Sequence, residues 1–265
     1  MKRKAVTCII QARISSTRLP GKILLPGYNK SLLMHMIERL KKSKLIKEII
    51  IATTINKIDD LIVDLCKKNK IKYFRGNPTN LLDRYYKCAK KYKVENILRV
   101  TSDCPLMDSD LVDKVIKKYF LLKSDYMSNV HPPTFPDGFD IEVFNFKALK
   151  KTFSKAKKNY EKEHVTPYMW DNNKNFKVDN YLNKGENSYN KFRLTMDYKE
   201  DYYLISKIFN SLYPKDKYFK LSKILNFLKR NNKILINQKL LKVNWYRHHL
   251  KELKTINNKD AKAYN

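Results

Sequence analysis

The stretch "IIQARISSTRLPGK", Ile9 to Lys22, combines three cations and three hydroxyl side chains with no carboxylate. An apolar run leads into it, so the loop begins where a buried strand ends. Arg13, Arg18 and Lys22, with the backbone N–H groups between them, suit a ligand rich in negative oxygens, a polyphosphate above all. Ser15, Ser16 and Thr17 can add hydroxyl contacts, and Pro20-Gly21 can turn the chain so that Lys22 returns toward the strand end. By charge alone the same loop is equally a solvated basic connection between strand and helix. Two familiar phosphate loops are excluded. A dinucleotide fingerprint needs GxGxxG, which Gly21, Gly27, Gly76, Gly138 and Gly185 never form. A Walker loop needs Gly where Ser16 stands and Ser or Thr where Ile23 stands.

A second chemical candidate is Asp103 in "TSDCPL", directly after the apolar run "ILRVTS". A carboxylate facing a polyphosphate repels it unless a cation intervenes, and Mg²⁺, which takes hard oxygen ligands and bridges phosphates, fits that need. The alternative is a turn cap before Pro105. Asp197 in "LTMDYKED" stands where it can cap a helix beginning near Lys199. Asp108 and Asp110 spell D-x-D, but at a helix start, where acidic residues favour the macrodipole, so they read as caps. Asp140 and Glu142 lie two apart on a strand-like segment and share a face; they can meet an acceptor or a metal, or lie in solvent. His164 and His131 can hold an anionic acceptor or move a proton, although a lone histidine is more often a packed one. His248 and His249 are adjacent, roughly 100° apart on a helix, and make a poor zinc pair.

The elements that must position these residues alternate in type. Strand runs at 5–11, 48–54, 71–76 and 96–102 are separated by helical periodicities at 31–42, 57–69, 79–92 and 109–122. That order predicts a mostly parallel sheet flanked by helices, with the loops after its strands at the carboxyl edge, where ligands bind. Thr79 or Asn80 is the expected cap of the third helix. Beyond residue 124 the pattern loosens. Strands are expected at 125–130, 139–146, 176–182 and 191–197, and the second alternates as an antiparallel or edge strand does. Helices are expected at 147–158, 161–172, 199–213 and 220–231, and a fraying tail follows. The expected division is an α/β domain over 1–213 and a helical C-terminal extension over 214–265 packed on it.

The composition narrows the class. Apolar residues make up 43% of the 265, enough for a core and against global disorder. No apolar run is long enough to span a membrane, and "MKRKAVTCIIQAR" reads as a first strand rather than a signal peptide. Cys8, Cys66, Cys88 and Cys104 lack CxxC spacing, which predicts a reduced, cytoplasmic chain. With 56 basic and 26 acidic residues the net charge is +30, a candidate signature of nucleic-acid or other polyanion binding. No nucleic-acid-binding motif accompanies it, and Lys, Asn and Ile are abundant throughout. The charge therefore reads as compositional drift on solvated faces.

The loop closely resembles the first motif of a cytidylyltransferase family that includes the spore coat polysaccharide biosynthesis protein F group. CMP-KDO synthetases and acylneuraminate cytidylyltransferases are its more distant relatives. The likeness continues in order through "FRGNPTNLLDRYYKCAKKY", "ILRVTSDCPLMDSDLVDKVI", "FPDGFDIEVFNFKAL", "EHVTPYMW" and "RLTMDYKEDYYLI", and more weakly to "INQK" at 236–239. The resemblance implies a nucleotide-diphospho-sugar transferase type of α/β fold and transfer of CMP from CTP, with pyrophosphate release. It implies the Ala12 backbone near the base, Arg13, Ser16, Arg18 and Lys22 on the nucleotide, and Mg²⁺ on Asp103 and Asp197. Asp140, Glu142 and His164 are candidates for the acceptor, an acidic sugar or related molecule used in cell-surface polysaccharide synthesis. Arg13, Lys22 and Asp103 are the expected catalytic residues. The expected partners are thus CTP and a small acceptor, with a homodimer as the assembly relatives suggest. Two other readings stay open: a glycosyltransferase on the same kind of sheet, and a non-catalytic polyanion- or RNA-binding protein.

Overall fold

The run from Val6 to Gln11 carries side chains that are buried on both faces, which only a central strand of a doubly covered sheet provides. In the computed structural model, which describes residues 5–185, 187, 188, 191–243 and 253, that run is β1. The chain continues through α1 (Leu32–Leu40), β2 (Ile46–Thr54), α2 (Asp60–Lys68), β3 (Lys72–Gly76), α3 (Leu81–Lys91), β4 (Asn96–Thr101) and α4 (Ser109–Leu122). Then come β5 (Tyr126–Ser128), β6 (Glu142–Asn145), α5 (Phe146–Lys155), α6 (Asn159–His164), α7 (Pro167–Asp171), β7 (Val178–Asn180), α8 (Lys199–Leu212) and α9 (Leu221–Arg230).

These strands form one seven-stranded sheet in the order β3-β2-β1-β4-β6-β5-β7. β1 runs parallel to both β2 and β4, and β2 parallel to β3. β6 is antiparallel to β4 and to β5. The chain winds one way from β1 to β3 and then crosses back to β4. The switch point therefore opens between the carboxyl ends of β1 and β4, the usual crevice of an open α/β sheet.

Period-two alternation sorts the strands onto two cores. Cys8, Ile10, Ile49, Ile51, Leu98 and Val100 face one core with residues of α1, α4 and α8. Ile9, Ile50, Ala52 and Ile97 face the other, with residues of α3, α5 and α7. Phe219, Ile224 and Leu228, from α9 and the segment before it, join the first core.

Three expectations from residue pattern change. The 191–197 run is not a strand; it keeps only an isolated parallel bridge from Asp137 to Arg193. Its side chains alternate, but Arg193 is spent on three carboxylates instead of a ladder. The expected helix 161–172 breaks into α6 and α7 at Val165, whose φ is 71°. The expected strands 139–146 and 176–182 shorten to β6 and β7. The caps follow the sequence: Asn80 accepts from the Asp83 N–H, and Asp108 accepts from the N–H groups of Asp110 and Leu111. His248 and His249 lie outside the described residues. No helix among the described residues is long and apolar enough to cross a membrane.

His35 of α1 shows what a buried titratable group contributes. It is 1% exposed, with its ring 4.4 Å from Phe209 and 4.8 Å from Tyr213. Burial lowers its pKa to about 4, against the opposing pull of Glu38 and with help from Lys30 and Arg39. The folded state thus holds this proton less readily than the unfolded chain. Stability is complete above about pH 6.5 and falls as the pH drops toward 4, by an amount on the order of 3 kcal/mol. Denaturant midpoints of His35→Leu should depend less on pH across that window than those of the unaltered protein. Equal slopes would assign the acid sensitivity elsewhere.

Candidate active site

The loop after β1 is built by anchoring its apolar residue and exposing its charged ones. Ile14 is buried in the first core, and its N–H donates to Asp59 Oδ1 at 2.7 Å. Asp59 is fully buried, and its other oxygen accepts from the Thr54 hydroxyl. Ile14 O in turn accepts from the N–H groups of Ser16 (2.8 Å) and Gly21 (3.0 Å), which closes the loop on itself. Ser16 Oγ accepts from the Leu19 N–H at 3.4 Å. Gly21 has φ 67° and ψ 7°, the left-handed conformation that costs glycine nothing, and it aims Lys22 inward. Arg13 and Arg18 are left exposed, while Lys22 is 8% exposed.

Lys22 Nζ lies between two carboxylates from distant parts of the chain. It is 2.7 Å from Asp197 Oδ1 and 3.4 Å from Asp103 Oδ2, and it also donates to Met196 O at 2.8 Å. The main chain enforces that convergence, since the Met196 N–H donates to Asp103 O at 2.9 Å. Arg18 Nη2 reaches Asp197 Oδ1 at 2.7 Å from outside. Burial alone would raise Asp197, but Lys22 and Arg18 outweigh it and hold its carboxyl at about 2. Asp197 does not cap α8. Asp201 does that work by accepting from the N–H groups of Asp197 and Tyr198, both at 3.0 Å.

Behind this pair stands Arg193, 4% exposed, which contacts Asp201 (3.1 Å), Asp137 (2.9 Å) and Asp197 (3.3 Å). Asn237 braces it, donating to Arg193 O at 3.0 Å and Asp201 Oδ1 at 2.8 Å. Gly138 lets the 137–139 turn press against the 194–195 backbone. A Cβ there would come within 2.4 Å of Leu194 and Thr195 backbone atoms, and its φ of 101° suits glycine.

Ala12, Arg13, Ser16, Arg18, Lys22, Asp103, Asp140, Glu142, His164 and Asp197 all line one cleft of about 450 Å³ at the switch point. The structure thus brings these ten residues to one place, without Ser15, but it gives Glu142 a different surrounding from a free strand face. Glu142 is 5% exposed and ion-paired with Arg99, and its Oε1 accepts from Tyr126 OH at 2.7 Å and Thr166 Oγ1 at 2.5 Å. Asp140 precedes β6 rather than lying in it. Burial, with Asp137, Asp103 and Glu142 nearby, pushes its carboxyl well above the usual range, toward a neutral group able to donate a hydrogen bond. His131 also lines the cleft, with its ring 4.4 Å from Trp170.

Asp59, Arg84, Arg99, Arg193 and Asn237 were not visible as site residues in the sequence. Each has at least one partner more than 30 residues away, and no local spacing reports that. Asp59 offers a direct check. Asp59→Ala removes the acceptor of the Ile14 N–H and should cost about 1–3 kcal/mol of stability. It should also raise KM for the nucleotide more than it lowers kcat, because the loop loses its fixed shape. A KM unchanged from the unaltered protein would show that the loop holds itself.

Among the described residues, no group of three His, Cys, Asp or Glu converges in the way a self-sufficient metal site does. Asp103 and Asp197 nonetheless share one cation, the Lys22 ammonium. Two carboxylates with room for phosphate oxygens are the donor set Mg²⁺ takes in nucleotide sites, so the residues present fit that ion.

A mostly parallel sheet, a cationic loop after its first strand and paired aspartates across the switch point define a nucleotide-handling α/β enzyme. Residues 7–244 match the cytidylyltransferase family, and the chain belongs to it. It is 34% identical over 207 residues to the spore coat polysaccharide biosynthesis protein SpsF of Bacillus subtilis, spanning 76% of this chain and 85% of that one. It is 43% identical over 199 residues to the uncharacterized protein MJ1063 of Methanocaldococcus jannaschii, spanning 74% of this chain and 79% of that one. The structure of a cytidylyltransferase from Leptospira borgpetersenii superposes with a TM-score of 0.83 at 37% identity, over 88% of this chain and 97% of that one. The fold is that of the nucleotide-diphospho-sugar transferases, and the protein is a CTP-dependent nucleotidyltransferase.

Proposed function

We propose that the protein moves CMP from CTP to an oxygen of a sugar-like acceptor used in polysaccharide synthesis, with release of pyrophosphate. The acceptor hydroxyl oxygen forms a new bond to the α-phosphorus and gives up its proton to solvent, the bond from that phosphorus to the bridging oxygen breaks, and its electron pair leaves on pyrophosphate. The observation that carries the reading is the position of Lys22, held between Asp103 and Asp197 beneath a loop that presents Arg13 and Arg18. That arrangement can exchange cation–carboxylate contacts for cation–phosphate contacts when a triphosphate enters.

The Ala12 backbone lies beside the base in this reading, and Arg13, Ser16, Arg18 and Lys22 hold the phosphates. Arg18 and Lys22 neutralise charge that develops on the leaving pyrophosphate. Such positioning and charge neutralisation are the main contributions a protein makes to this class of transfer. Asp103 and Asp197 would hold Mg²⁺, which when bound polarises the α-phosphate and acidifies the attacking hydroxyl. Asp140 and His164, which line the same cleft, would meet the acceptor, and Glu142 fixes Arg99, another lining residue. An acidic sugar is the acceptor class the sequence resemblance favours, and the four reduced, buried cysteines fit a cytoplasmic reaction.

The test is pyrophosphate release with each of the four nucleoside triphosphates, across sugar acids, neutral sugars and sugar phosphates. The expected result is release with CTP that depends on one acceptor class. Turnover of a ready-made nucleotide sugar without pyrophosphate would instead mark a glycosyltransferase. Steeply salt-dependent RNA binding with no response to CTP would mark a polyanion-binding protein.

A further inference from the structure

Arg84 has a surrounding that no part of the mechanism above uses. It is 2% exposed and lines the cleft beside Arg13. Among the described residues its guanidinium donates only to main-chain carbonyls: Nε to Asn77 O at 3.0 Å, Nη2 to Pro78 O at 3.1 Å and Nη1 to Ala52 O at 3.5 Å. Ala52 O also accepts from the Ala12 N–H at 3.2 Å, so Arg84 is tied to the start of the cationic loop through a single carbonyl. Pro78, whose carbonyl it holds, and Thr79 after it line the same cleft.

No carboxylate of the described residues lies within ion-pair distance of Arg84. The other buried arginines of the cleft are each paired: Arg99 with Glu142, and Arg193 with Asp137, Asp197 and Asp201. Burying a guanidinium without a counter-charge is unfavourable. Arg39 is a useful contrast, since it too is buried on carbonyls, those of Leu106, Met107 and Phe219. Arg39 lies away from the cleft, however, and the charges acting on it are the acids Asp108 and Asp216. For Arg84 burial comes first, and the strongest charge after it is the like charge of Arg13, which depresses its pKa further; Tyr85 and the acid Asp59 oppose that shift without reversing it. A buried cation beside a second cation in a ligand cleft has an anionic ligand as its natural counter-charge.

We propose that Arg84 is a positioning residue of the nucleotide cradle, holding the 77–78 carbonyls behind the cleft wall and lending the bound nucleotide a positive charge that no ion pair within the protein takes up. This rests on the reading of the cleft as a CTP site and adds a residue that the cationic loop does not contain. The charge acts over distance, so its effect is on nucleotide affinity and its salt dependence rather than on the chemical step.

Two variants test it on the full-length protein. Arg84→Gln keeps amide donors for the carbonyls and removes the charge; Arg84→Lys keeps the charge and loses the planar fork. The readouts are CTP affinity by calorimetry at several salt concentrations and the melting temperature without nucleotide. Arg84→Gln is expected to melt no lower than the unaltered protein by more than about 3 °C. It should bind CTP at least about tenfold more weakly, with a shallower dependence of affinity on salt. Arg84→Lys is expected to bind CTP within about threefold of the unaltered protein and to keep its salt dependence. Equal losses in both variants with unaltered salt dependence would make Arg84 a structural strut and overturn the proposal. So would unchanged affinity in Arg84→Gln. If the unaltered protein binds no CTP, the reading of the cleft itself fails, and the role of Arg84 falls with it.

Discussion

Asp103→Asn is expected to lower turnover about 10³-fold, on the order of 4 kcal/mol in the activation barrier, while the protein stays folded. Both halves of that expectation come from the surroundings of the carboxylate. Its side chain is 27% exposed at the cleft and, among the described residues, ion-pairs only with Lys22, at a relaxed 3.4 Å. Its structural contact is made by the backbone, through Asp103 O and the Met196 N–H, which the amide substitution leaves in place. The fold should therefore lose no more than about 1 kcal/mol, as surface changes commonly do. In the proposed reading function depends on the charge, because a neutral amide holds a divalent cation far more weakly than a carboxylate does. Single-turnover rates and thermal melting separate the two effects. A variant that keeps near-full turnover would remove Asp103 from the metal role.

Lys22→Gln is the second large effect, expected at about 10²–10³-fold in kcat/KM, the scale of losing one preorganised charge at a developing anion. It differs from the first in its effect on the empty protein. Lys22 is the cation that lets Asp103 and Asp197 approach each other. Its own charge is stabilised accordingly: burial works against the ammonium, but Asp103 and Asp197 outweigh burial and raise its pKa. Without it two carboxylates face one another, so the variant should melt lower than the unaltered protein in the absence of ligand. The vacated space should also bind a divalent cation more tightly. Titration of Mn²⁺ followed by electron paramagnetic resonance, without nucleotide, is the measurement. Tighter Mn²⁺ binding by Lys22→Gln supports the shared-cation geometry. Equal binding would show that Lys22 does not occupy the metal's place.

The first half of the fold was legible because its physics is local. β1, β2 and β4 are short runs buried on both faces, each followed by a helix with an apolar stripe, and that alternation permits few topologies. The cationic loop and Asp103 were legible for the same reason, as each directly follows a recognisable strand. Past residue 124 the rules weaken, because β5, β6 and β7 have three, four and three residues, too few to show a period. The run 191–197 misleads because its alternation serves a buried ion cluster around Arg193, not a ladder. Asp59 and Arg84 look like ordinary helix-surface residues in the sequence. Only the tertiary fold buries one against the Ile14 N–H and the other against three carbonyls.

The most direct test of the central claim is the fate of label from CTP carrying ³²P at the α-phosphate or at the γ-phosphate, incubated with the protein, Mg²⁺ and the acceptor that supports pyrophosphate release. The α-label is expected in an acceptor–CMP product and the γ-label in pyrophosphate, in equal amounts, and both signals should collapse in Asp103→Asn. Label that stays in CTP with every acceptor, or a γ-label that appears on the acceptor, would contradict the claim.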